Sequence, residues 1–380
     1  MTTSRPKVLH LTTTDISLEL LLGPQLEAFI AAGYDVHAAS APGPFVEAVE
    51  ARGVQFHALK HSTRSMSLGA DLRAAREVYK LFRRLEPDIV HTHNPKPGVY
   101  GRIGARLARV PGIVNTVHGL YAQPTDPLPR RAAVYGLERL AACFSHAELV
   151  QNEEDVATLR KLRVPAGKLK VLGNGIDLRR FRPDVDHRAA VRAEIGADHD
   201  TVVVGAIGRL VAEKGYPELF EAWAQVTRAH PTAKLVVVGP HEPDKADALP
   251  AALVDQAIES GVVLLGHRDD VERIYPALDL YVLASHREGF PRSAMEAAAS
   301  GVALVVTDIR GCRQVVDHES NGVLVPVRNA GALAANLIDL IDDDERRTAM
   351  GRAGLAKAAA DFDQQRIIDT TLATYERLLA

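Results

Sequence analysis

The chain has 380 residues, a net charge of −3, 47 % hydrophobic and 24 % charged residues, which is ordinary for a globular protein and excludes a disordered or fibrous chain. This length exceeds one typical domain and predicts two. Its two cysteines, Cys143 and Cys312, exclude a disulfide framework and favour a reducing compartment. Because the N-terminus lacks a secretory signal and no apolar run reaches about 18 residues, we expect a cytoplasmic protein, held at most on the inner face of the cytoplasmic membrane.

Short β-branched runs alternate with helical patterns along the whole chain, which is typical of parallel sheets wound with helices. Six strand candidates lie between residues 7 and 172 and six between 202 and 326, so the spacing predicts two Rossmann-like units. An Asn-Gly turn at Asn174 and the proline at Pro183 interrupt regular structure. The predicted domains are 1–180 and 181–362, followed by a C-terminal helix at 363–380 that packs back on the first domain.

Positive charge is concentrated in the first half, where residues 1–180 hold 24 Lys and Arg against 17 Asp and Glu. Two sets of basic residues have helical spacing and predict basic helix faces: Arg73, Arg76, Lys80 and Arg83, and Arg102, Arg106 and Arg109. Two interpretations stay open, a solvated helix surface and a surface that binds anionic lipid or a pyrophosphate-bearing partner. Nucleic acid is disfavoured, because aromatic residues are 5 % of the chain and do not alternate with these basic residues.

His91 and His93 alternate on one predicted strand and are the residues that most suggest a metal. A zinc-type site needs at least a third ligand, and none lies nearby in the sequence. We interpret the two histidines as packing or as lining of a crevice. We therefore expect no metal site, no cofactor and no loss of activity with a chelator.

A candidate phosphate loop, Gly208-Arg209 to Lys214-Gly215, lies between a predicted strand and a helix. Helix N-termini offer free backbone N–H groups and a partial positive charge, and Arg209 and Lys214 would add two cations for a diphosphate. The motif is neither a Walker A loop nor the dinucleotide fingerprint. The alternative is a pair of ordinary surface charges in a strand-to-helix loop.

Two carboxylates stand eight residues apart in the segment Glu288-Gly-Phe-Pro-Arg-Ser-Ala-Met-Glu296. Glu288 follows the predicted strand 280–283, and Glu296 falls about two turns into the next predicted helix. Ligands of open α/β sheets bind at the carboxyl ends of strands, and paired carboxylates suit hydroxyl-rich ligands such as sugar and ribose. The alternative is a capped helix with solvated acids.

Taken together, these motifs resemble the retaining glycosyltransferases of family 4, and most closely the bacterial capsule and exopolysaccharide branch. The matching segments cover nearly the whole chain: His91-Thr-His-Asn-Pro-Lys96, Thr116-Val-His118-Gly-Leu120, Asn174-Gly-Ile-Asp177, Gly208-Arg209-Leu210 with Lys214-Gly215, Glu288 to Glu296, and Thr307-Asp-Ile-Arg-Gly-Cys312. The resemblance implies the GT-B fold: α/β, with two Rossmann-like domains whose parallel sheets face each other across a cleft.

The resemblance also implies roles for individual residues. The implied catalytic residues are His118, Glu288, Arg209 and Lys214, with His118 next to the transferred sugar and the two cations on the donor diphosphate. The implied donor-binding residues are Gly208, Arg209, Lys214, Arg268, Glu288, Gly289, Phe290, Pro291 and Glu296, with Glu296 on the ribose and Arg268 in the loop against the base. The implied acceptor-side residues are Thr14, Asp15 and Asn94.

One segment departs from the family pattern. Many members carry a Gly-Gly loop after the first strand, where this chain has Thr12-Thr-Thr-Asp15-Ile-Ser17. The polysaccharide branch often has similar non-glycine loops, so the resemblance to the family holds.

The implied function is transfer of a hexose or N-acetylhexosamine from a nucleotide-diphosphate sugar, with UDP as the expected nucleotide. The implied acceptor is a lipid-linked glycan in cell-surface polysaccharide synthesis, and the basic first domain would contact an anionic membrane. Two other functions stay open. One is transfer to a small soluble acceptor, such as a natural product or a sugar phosphate, and the other is a non-enzymatic two-lobed small-molecule binding protein.

Overall fold

A computed structural model describes residues 5–63, 68–122, 126–243 and 247–380. The chain forms two compact units, one made of residues 1–173 with 365–380 and the other of residues 174–364. Along the sequence, the chain passes from the first unit to the second at the Asn174-Gly turn and returns to the first unit after residue 364. Both cysteines are free, Cys143 exposed and Cys312 buried.

Within the described residues, the first unit contains one parallel sheet of seven strands in the order β3-β2-β1-β4-β5-β6-β7. These strands are β1 (Lys7–Thr14), β2 (Asp35–Ala41), β3 (Gln55–Ala58), β4 (Ile89–His93), β5 (Gly112–Val117), β6 (Ala147–Val150) and β7 (Leu169–Val171). Six of them confirm predicted strands. The seventh, β3, was missed because it is a short, half-exposed edge strand without a buried apolar run.

Helices cover both faces of this sheet. They are α1 (Gly23–Ala31), α2 (Val46–Ala51), α3 (Leu68–Leu85), α4 (Pro95–Leu107), α5 (Leu128–Ala142), α6 (Glu153–Lys161) and, at the C-terminus, α14 (Gln364–Leu379). A π-helix, Ser17–Leu22, begins at the end of the Thr12–Ser17 segment that replaces the Gly-Gly loop of many family members. Such helices are rare and are often found at functional sites.

The C-terminal helix belongs to the first unit. Ile367, Ile368 and Tyr375 of α14 are buried in one core with Val8 of β1 and Phe29 of α1. The opposite face of the sheet packs against α3 and α4. Residues more than 300 positions apart in sequence therefore share the interior of the first unit.

The second unit contains, in its described part, a parallel sheet of six strands in the order β10-β9-β8-β11-β12-β13. All six confirm predicted strands: β8 (Val203–Ile207), β9 (Lys234–Val238), β10 (Val263–Gly266), β11 (Leu280–Leu283), β12 (Ala303–Thr307) and β13 (Gly322–Val325). Its helices are α7 (Val185–Glu194), α8 (Tyr216–Ala229), α9 (Ala251–Glu259), α10 (Val271–Ile274), α11 (Arg292–Ala299), α12 (Ala330–Asp342) and α13 (Asp344–Asp361).

Both sheets have the Rossmann strand order, in which the chain direction across the sheet reverses beside the first strand. The reversal falls between β1 and β4 in the first unit and between β8 and β11 in the second. Ligands of open α/β sheets bind outside the carboxyl ends of the strands at this point. The loops that leave these four strands are therefore where a site is expected in each unit.

One of the two predicted basic faces is wrong. The Arg102 side chain is fully buried, and it donates to Glu148 Oε1 and to Glu138 Oε1 at 2.7 Å each. Arg109 lies beyond the last residue of α4, with a positive φ of 63°. An arginine can be buried in this way because two carboxylates neutralise and hydrogen-bond its guanidinium.

The other predicted basic face, on α3, is exposed. Arg73, Arg76, Lys80 and Arg83 are all solvent-accessible. The acidic neighbours on this helix are engaged elsewhere, because Asp71 pairs with Lys96 at 2.5 Å and Glu77 accepts from the backbone N–H groups of Lys60 and His61. In the parts of the chain that the structure describes, no helix combines the length and hydropathy needed to cross a bilayer.

Candidate active site

The candidate phosphate loop follows β8 and is closed by its glycine at position 215. Gly215 has a φ of +73°, which favours glycine, and directly precedes α8. A Cβ at this position would stand 2.0 Å from the backbone carbonyl oxygen of Ala284. The phenol of Tyr216 donates to the carbonyl of Gly208 at 2.9 Å, so the two ends of the loop are tied together. These contacts restrict the backbone conformation of the loop where it packs against the end of β11.

Lys214 and Glu288 form an ion pair at the carboxyl ends of β8 and β11. Lys214 Nζ donates to Glu288 Oε1 at 2.6 Å, and Ser285 Oγ donates to the same oxygen at 2.8 Å. The two side chains are 27 % and 13 % exposed. They meet because β8 and β11 are neighbours in the sheet and both loops leave from the same edge. An ammonium group and a carboxylate, assigned from sequence to phosphate and sugar, thus stand in direct contact.

Arg209 extends from the same loop toward solvent. Its side chain is 48 % exposed, and its guanidinium Nη1 lies 3.4 Å from Asp247 Oδ2. A solvent-exposed pair of this length contributes little to stability. The arginine is therefore available to a ligand at small energetic cost.

Contacts of its backbone carbonyl groups fix the position of the turn from Glu288 to Pro291. A Cβ on Gly311 would lie 2.8 Å from the carbonyl oxygens of Glu288 and Gly289, so glycine is needed there for close approach. The carbonyl of Phe290 accepts from Asn174 Nδ2 at 3.2 Å. Pro291 is the residue that precedes α11. This packing leaves the Glu288 backbone little freedom to move.

Glu296 lies in the second turn of α11 and is largely buried. Its Oε2 accepts from the Tyr275 hydroxyl at 2.7 Å, and its Oε1 lies 4.0 Å from Arg292 Nε. Burial raises the pKa of the Glu296 carboxyl. The pKa of buried Tyr281 is also raised, first by burial and then in part by the charges of Glu288 and Glu296. Both carboxylates thus act on the same interior group.

Arg268 is engaged by acidic residues of its own unit. It donates to both carboxylate oxygens of Asp270 at 2.7 and 2.9 Å and to Glu194 Oε1 at 2.5 Å. These hydrogen bonds raise the pKa of the guanidinium further above its usual value. A contact with a nucleotide base therefore stays a prediction for this residue.

In the first unit, His118 directly follows β5, and its ring belongs to a group of buried imidazoles. Its Nε2 lies 3.0 Å from His93 Nδ1. Its Nδ1 is buried and makes no hydrogen bond of regular geometry with the residues described by the structure. Burial lowers the pKa of His118 to about 4, and nearby Gln151 opposes this shift to a smaller extent. His118 is therefore neutral at pH 7.

The three predicted acceptor-side residues lie around the end of β1. Asn94 follows β4 with φ of 68° and ψ of 155°, a rare backbone conformation for a non-glycine residue, and its Oδ1 accepts from the Thr13 N–H at 3.1 Å. Asp15 accepts the N–H groups of Ile16 at 2.9 Å and Phe45 at 2.7 Å. The Thr14 carbonyl accepts from the Thr12 hydroxyl at 3.0 Å. Asn94 and Asp15 thus hold the loop's own backbone, and a contact with an acceptor stays a prediction.

Sequence analysis missed several residues that the structure places around these groups. They are Tyr275, Tyr281 and Ser285 in the second unit and His10 and Tyr375 in the first. A signal was present for His10, which interrupts the apolar run Val8-Leu9-His10-Leu11 of a buried strand. Tyr375 carries no such signal, because an aromatic residue on an amphipathic helix is ordinary core.

Comparison with known proteins identifies the family of proteins to which this chain belongs. Residues 25–180 match Glycosyltransferase Family 4, and residues 187–357 match Glycosyl transferases group 1. The chain is 31 % identical over 283 residues to the UDP-Gal:alpha-D-GlcNAc-diphosphoundecaprenol alpha-1,3-galactosyltransferase of Escherichia coli, which covers 74 % of this chain and 73 % of that protein. It is 26 % identical over 380 residues to the capsular polysaccharide biosynthesis glycosyltransferase CapM of Staphylococcus aureus, covering 98 % and 97 % of the two chains.

A solved structure supports the fold. HepE of Anabaena, crystallised in complex with UDP, superposes with a TM-score of 0.82 at 23 % identity and covers 98 % of this chain and all of that one. Sequence motifs, strand order and homology therefore agree, and the chain belongs to the family 4 glycosyltransferases, enzymes with the GT-B fold.

Proposed function

We propose that this glycosyltransferase moves a sugar from a UDP-sugar to a lipid-linked glycan, with retention of configuration at the anomeric carbon, in cell-surface polysaccharide synthesis. The observation that carries the donor assignment is the contact between Lys214 and Glu288 at the point where the strand order of the second sheet reverses. A diphosphate next to Lys214 would place its sugar beside Glu288.

The chemistry of the donor requires relief of negative charge. Transfer forms a bond between the acceptor oxygen and the anomeric carbon and breaks the bond from that carbon to the β-phosphate oxygen. The departing diphosphate gains a negative charge, which Lys214, Arg209 and the N-terminus of α8 stabilise as fixed positive groups. In a retaining reaction with attack on the leaving-group side, the leaving phosphate oxygen takes the acceptor proton. Because Lys214 and Arg209 provide cations, we propose that the reaction needs no divalent metal.

Glu288 and Glu296 would bind hydroxyl groups. Glu288 shares an oxygen between Lys214 and Ser285, which leaves Oε2 as an acceptor for a sugar hydroxyl. We assign Glu296 to the ribose hydroxyls and His118 to the transferred sugar.

Two observations support the proposal of a lipid-linked acceptor: the substrate of a relative and the positive charge on α3. The Escherichia coli relative acts on a sugar carried by diphosphoundecaprenol, at 31 % identity. The exposed basic face of α3 would attract the anionic surface in which such a lipid is embedded.

Replacement of Lys214 by alanine should lower turnover at least about tenfold, equivalent to about 1.4 kcal/mol in the barrier, because the leaving diphosphate loses a nearby cation. A thermal-shift panel of UDP- and GDP-sugars on the unmodified protein identifies the donor for this assay, since a ligand at 100 times its Kd stabilises by about 2.7 kcal/mol. We expect a UDP-sugar to give the largest shift, and Lys214→Ala to reduce it.

Two variants make this measurement specific. Arg209→Ala should also lower turnover, whereas Arg228→Ala removes the same charge from an exposed position on α8 and should leave it unchanged. Normal turnover in both Lys214→Ala and Arg209→Ala would refute the phosphate assignment. A melting temperature raised only by GDP-sugars would instead correct the nucleotide.

Co-sedimentation with vesicles separates a lipid-linked from a soluble acceptor. The protein should pellet with anionic vesicles at moderate salt, and Arg76→Ala with Lys80→Ala should weaken binding about thirtyfold, because each surface charge contributes about 1 kcal/mol. Arg160→Ala with Lys161→Ala removes two exposed charges from α6 of the same unit and should have little effect. Protein that stays in the supernatant would favour a small soluble acceptor.

A further inference from the structure

Four imidazoles, a phenol and a threonine hydroxyl line up inside the first unit. His10 lies on β1, His91 and His93 on β4, Thr116 on β5 and His118 just after it, while Tyr375 comes from α14. They meet because β1, β4 and β5 are adjacent, with His10 opposite His91 and His93 opposite Thr116 in the strand register. His10, His91, His93, Thr116 and Tyr375 are almost completely buried.

The polar atoms of these residues form an unbroken chain. His118 Nε2 lies 3.0 Å from His93 Nδ1, and His93 Nε2 lies 3.2 Å from His10 Nδ1. His10 Nε2 lies 3.5 Å from the Tyr375 hydroxyl, which is the longest link, and that hydroxyl lies 2.5 Å from His91 Nδ1. His91 Nε2 lies 2.7 Å from Thr116 Oγ1. Every ring nitrogen is therefore engaged except His118 Nδ1, which makes no hydrogen bond of regular geometry in the described chain, although the Gln151 side chain lies close enough to affect the pKa of His118.

Because each neutral imidazole carries one proton, this connectivity allows two fully bonded arrangements. In the first, each of the four histidines is protonated on Nδ1, Thr116 donates to His91, and the Tyr375 hydroxyl donates to His10. In the second, each is protonated on Nε2 and every hydrogen bond runs the other way. A change of tautomer between His118, His93 and His10 leaves two donors or two acceptors facing each other in the interior. A change between His10 and His91, on either side of the Tyr375 hydroxyl, leaves either a ring nitrogen or the hydroxyl proton without a partner, and both outcomes are costly.

The two arrangements differ at their ends. With all protons on Nδ1, the unmatched group is the N–H of His118 alone. With all protons on Nε2, the Nδ1 lone pair of His118 and the hydroxyl proton of Thr116 are both unmatched. Since buried unmatched polar groups are destabilising, the Nδ1-protonated arrangement is favoured.

The ring planes argue against a metal in the same cluster. Ring nitrogens of His10, His91 and His93 lie within 4.8 Å of one another, which by distance alone suits an ion. The centroids of the His91 and His93 rings, however, are 4.2 Å apart and their planes are tilted by 31°. Both ring nitrogens of His93 already face other imidazole nitrogens, Nε2 at 3.2 Å from His10 Nδ1 and Nδ1 at 3.0 Å from His118 Nε2. A metal binds an imidazole through a nitrogen lone pair in the plane of its ring, and nitrogens paired with each other in this way are not directed at a shared ion.

We propose that His10, His93, His91 and Tyr375 are positioning residues that act as one tautomeric unit and present His118 with its proton on Nδ1. His118 thereby offers a hydrogen-bond donor to a substrate oxygen and is not a base. The role of His118 as a donor to a substrate oxygen rests on the proposed function. The shared tautomer of the four histidines is independent of that function. A residue near the C-terminus, Tyr375, thus sets the protonation of a histidine that follows β5.

The experiment is NMR of the complete protein with ¹⁵N-labelled histidine at pH 7, without substrate, with signals assigned from single His→Gln variants. Nitrogen shifts and long-range couplings distinguish protonated from unprotonated ring nitrogens. We expect His10, His91, His93 and His118 all to be neutral and protonated on Nδ1. A mixture of tautomers among the four, a doubly protonated ring, protonation on Nε2 throughout, or a stoichiometric metal whose removal shifts these signals would each overturn the proposal.

Tyr375→Phe tests the link through the phenol. Without that hydroxyl, the Nδ1–H of His91 would have no acceptor, so His91 should change to Nε2–H and donate to Thr116, and the other three should lose their single tautomer. Tyr34→Phe is the matched control, because the Tyr34 ring packs against Tyr375 at 5.7 Å but stands outside the chain. Unchanged histidine signals in folded Tyr375→Phe would contradict the proposal. Absence of any nucleotide-sugar binding would refute the proposed function and leave this result unaffected.

Discussion

Gly215→Ala should destabilise the second unit by about 3 kcal/mol and abolish donor binding. Part of the loss, about 1–2 kcal/mol, comes from a φ of +73° that disfavours any residue with a Cβ. The rest arises because the new Cβ would stand 2.0 Å from the Ala284 carbonyl oxygen, and a backbone atom cannot move aside as a flexible side chain does. The displaced loop would carry Lys214 away from Glu288.

The measurement is urea unfolding followed by tryptophan fluorescence. Trp223 is the one tryptophan of the sequence, and it is buried in α8, directly after the loop. Gly261→Ala is the matched control, since Gly261 has a φ of +85° but no atom within 4 Å of the added Cβ. Gly261→Ala should lose only the part of the stability that comes from the positive φ, about 1–2 kcal/mol. Equal unfolding midpoints for the two variants would show that the contact with Ala284 does not restrict the loop.

Acidification from pH 7 to pH 5 should destabilise the first unit by at least about 4 kcal/mol. Burial lowers the pKa of His10 to about 3 and that of His118 to about 4, and it lowers the pKa of His91 and His93 well below the usual value. In the unfolded chain these histidines bind protons below about pH 6.5, while in the folded unit they do not. Stability is therefore complete above pH 6.5 and falls as the pH approaches 4, by about 1.4 kcal/mol per pH unit for each group.

The second unit provides an internal comparison. Burial raises the pKa of its Glu296, which has the opposite effect, because protonation of that carboxyl favours the folded state. In the first unit, the pKa of Glu138 is also raised, so its protonation partly offsets the destabilisation by the histidines.

Urea unfolding at pH 7 and pH 5 should show a circular dichroism transition that moves to lower urea concentration at pH 5, while the transition reported by Trp223 moves less. His10→Leu should reduce the pH dependence of the first transition. A circular dichroism midpoint that is the same at both pH values would mean that these rings accept protons while folded.

Much of the fold follows from local patterns. Twelve of the strands correspond to apolar, β-branched runs. The helix that begins at Tyr216 directly follows Gly215, and a glycine at this point indicates a tight loop before the helix. Lys214 and Glu288 were predicted to serve one ligand, and they lie in contact because their loops follow adjacent strands. Strand β3 was not predicted, because an exposed edge strand has little apolar signal of its own.

Periodicity, glycine positions and short motifs were sufficient to identify the family, the two Rossmann-like units and the residues around the donor loop. Which polar groups are buried together follows only from the packing of strands and helices in the folded chain. Arg102 looked like a surface residue until Glu138 and Glu148 were brought beside it, and His10 meets Tyr375 across 365 positions of sequence. The physical reason is that a buried polar group is stable only with partners, and those partners come from whichever strands and helices the sheet order makes adjacent.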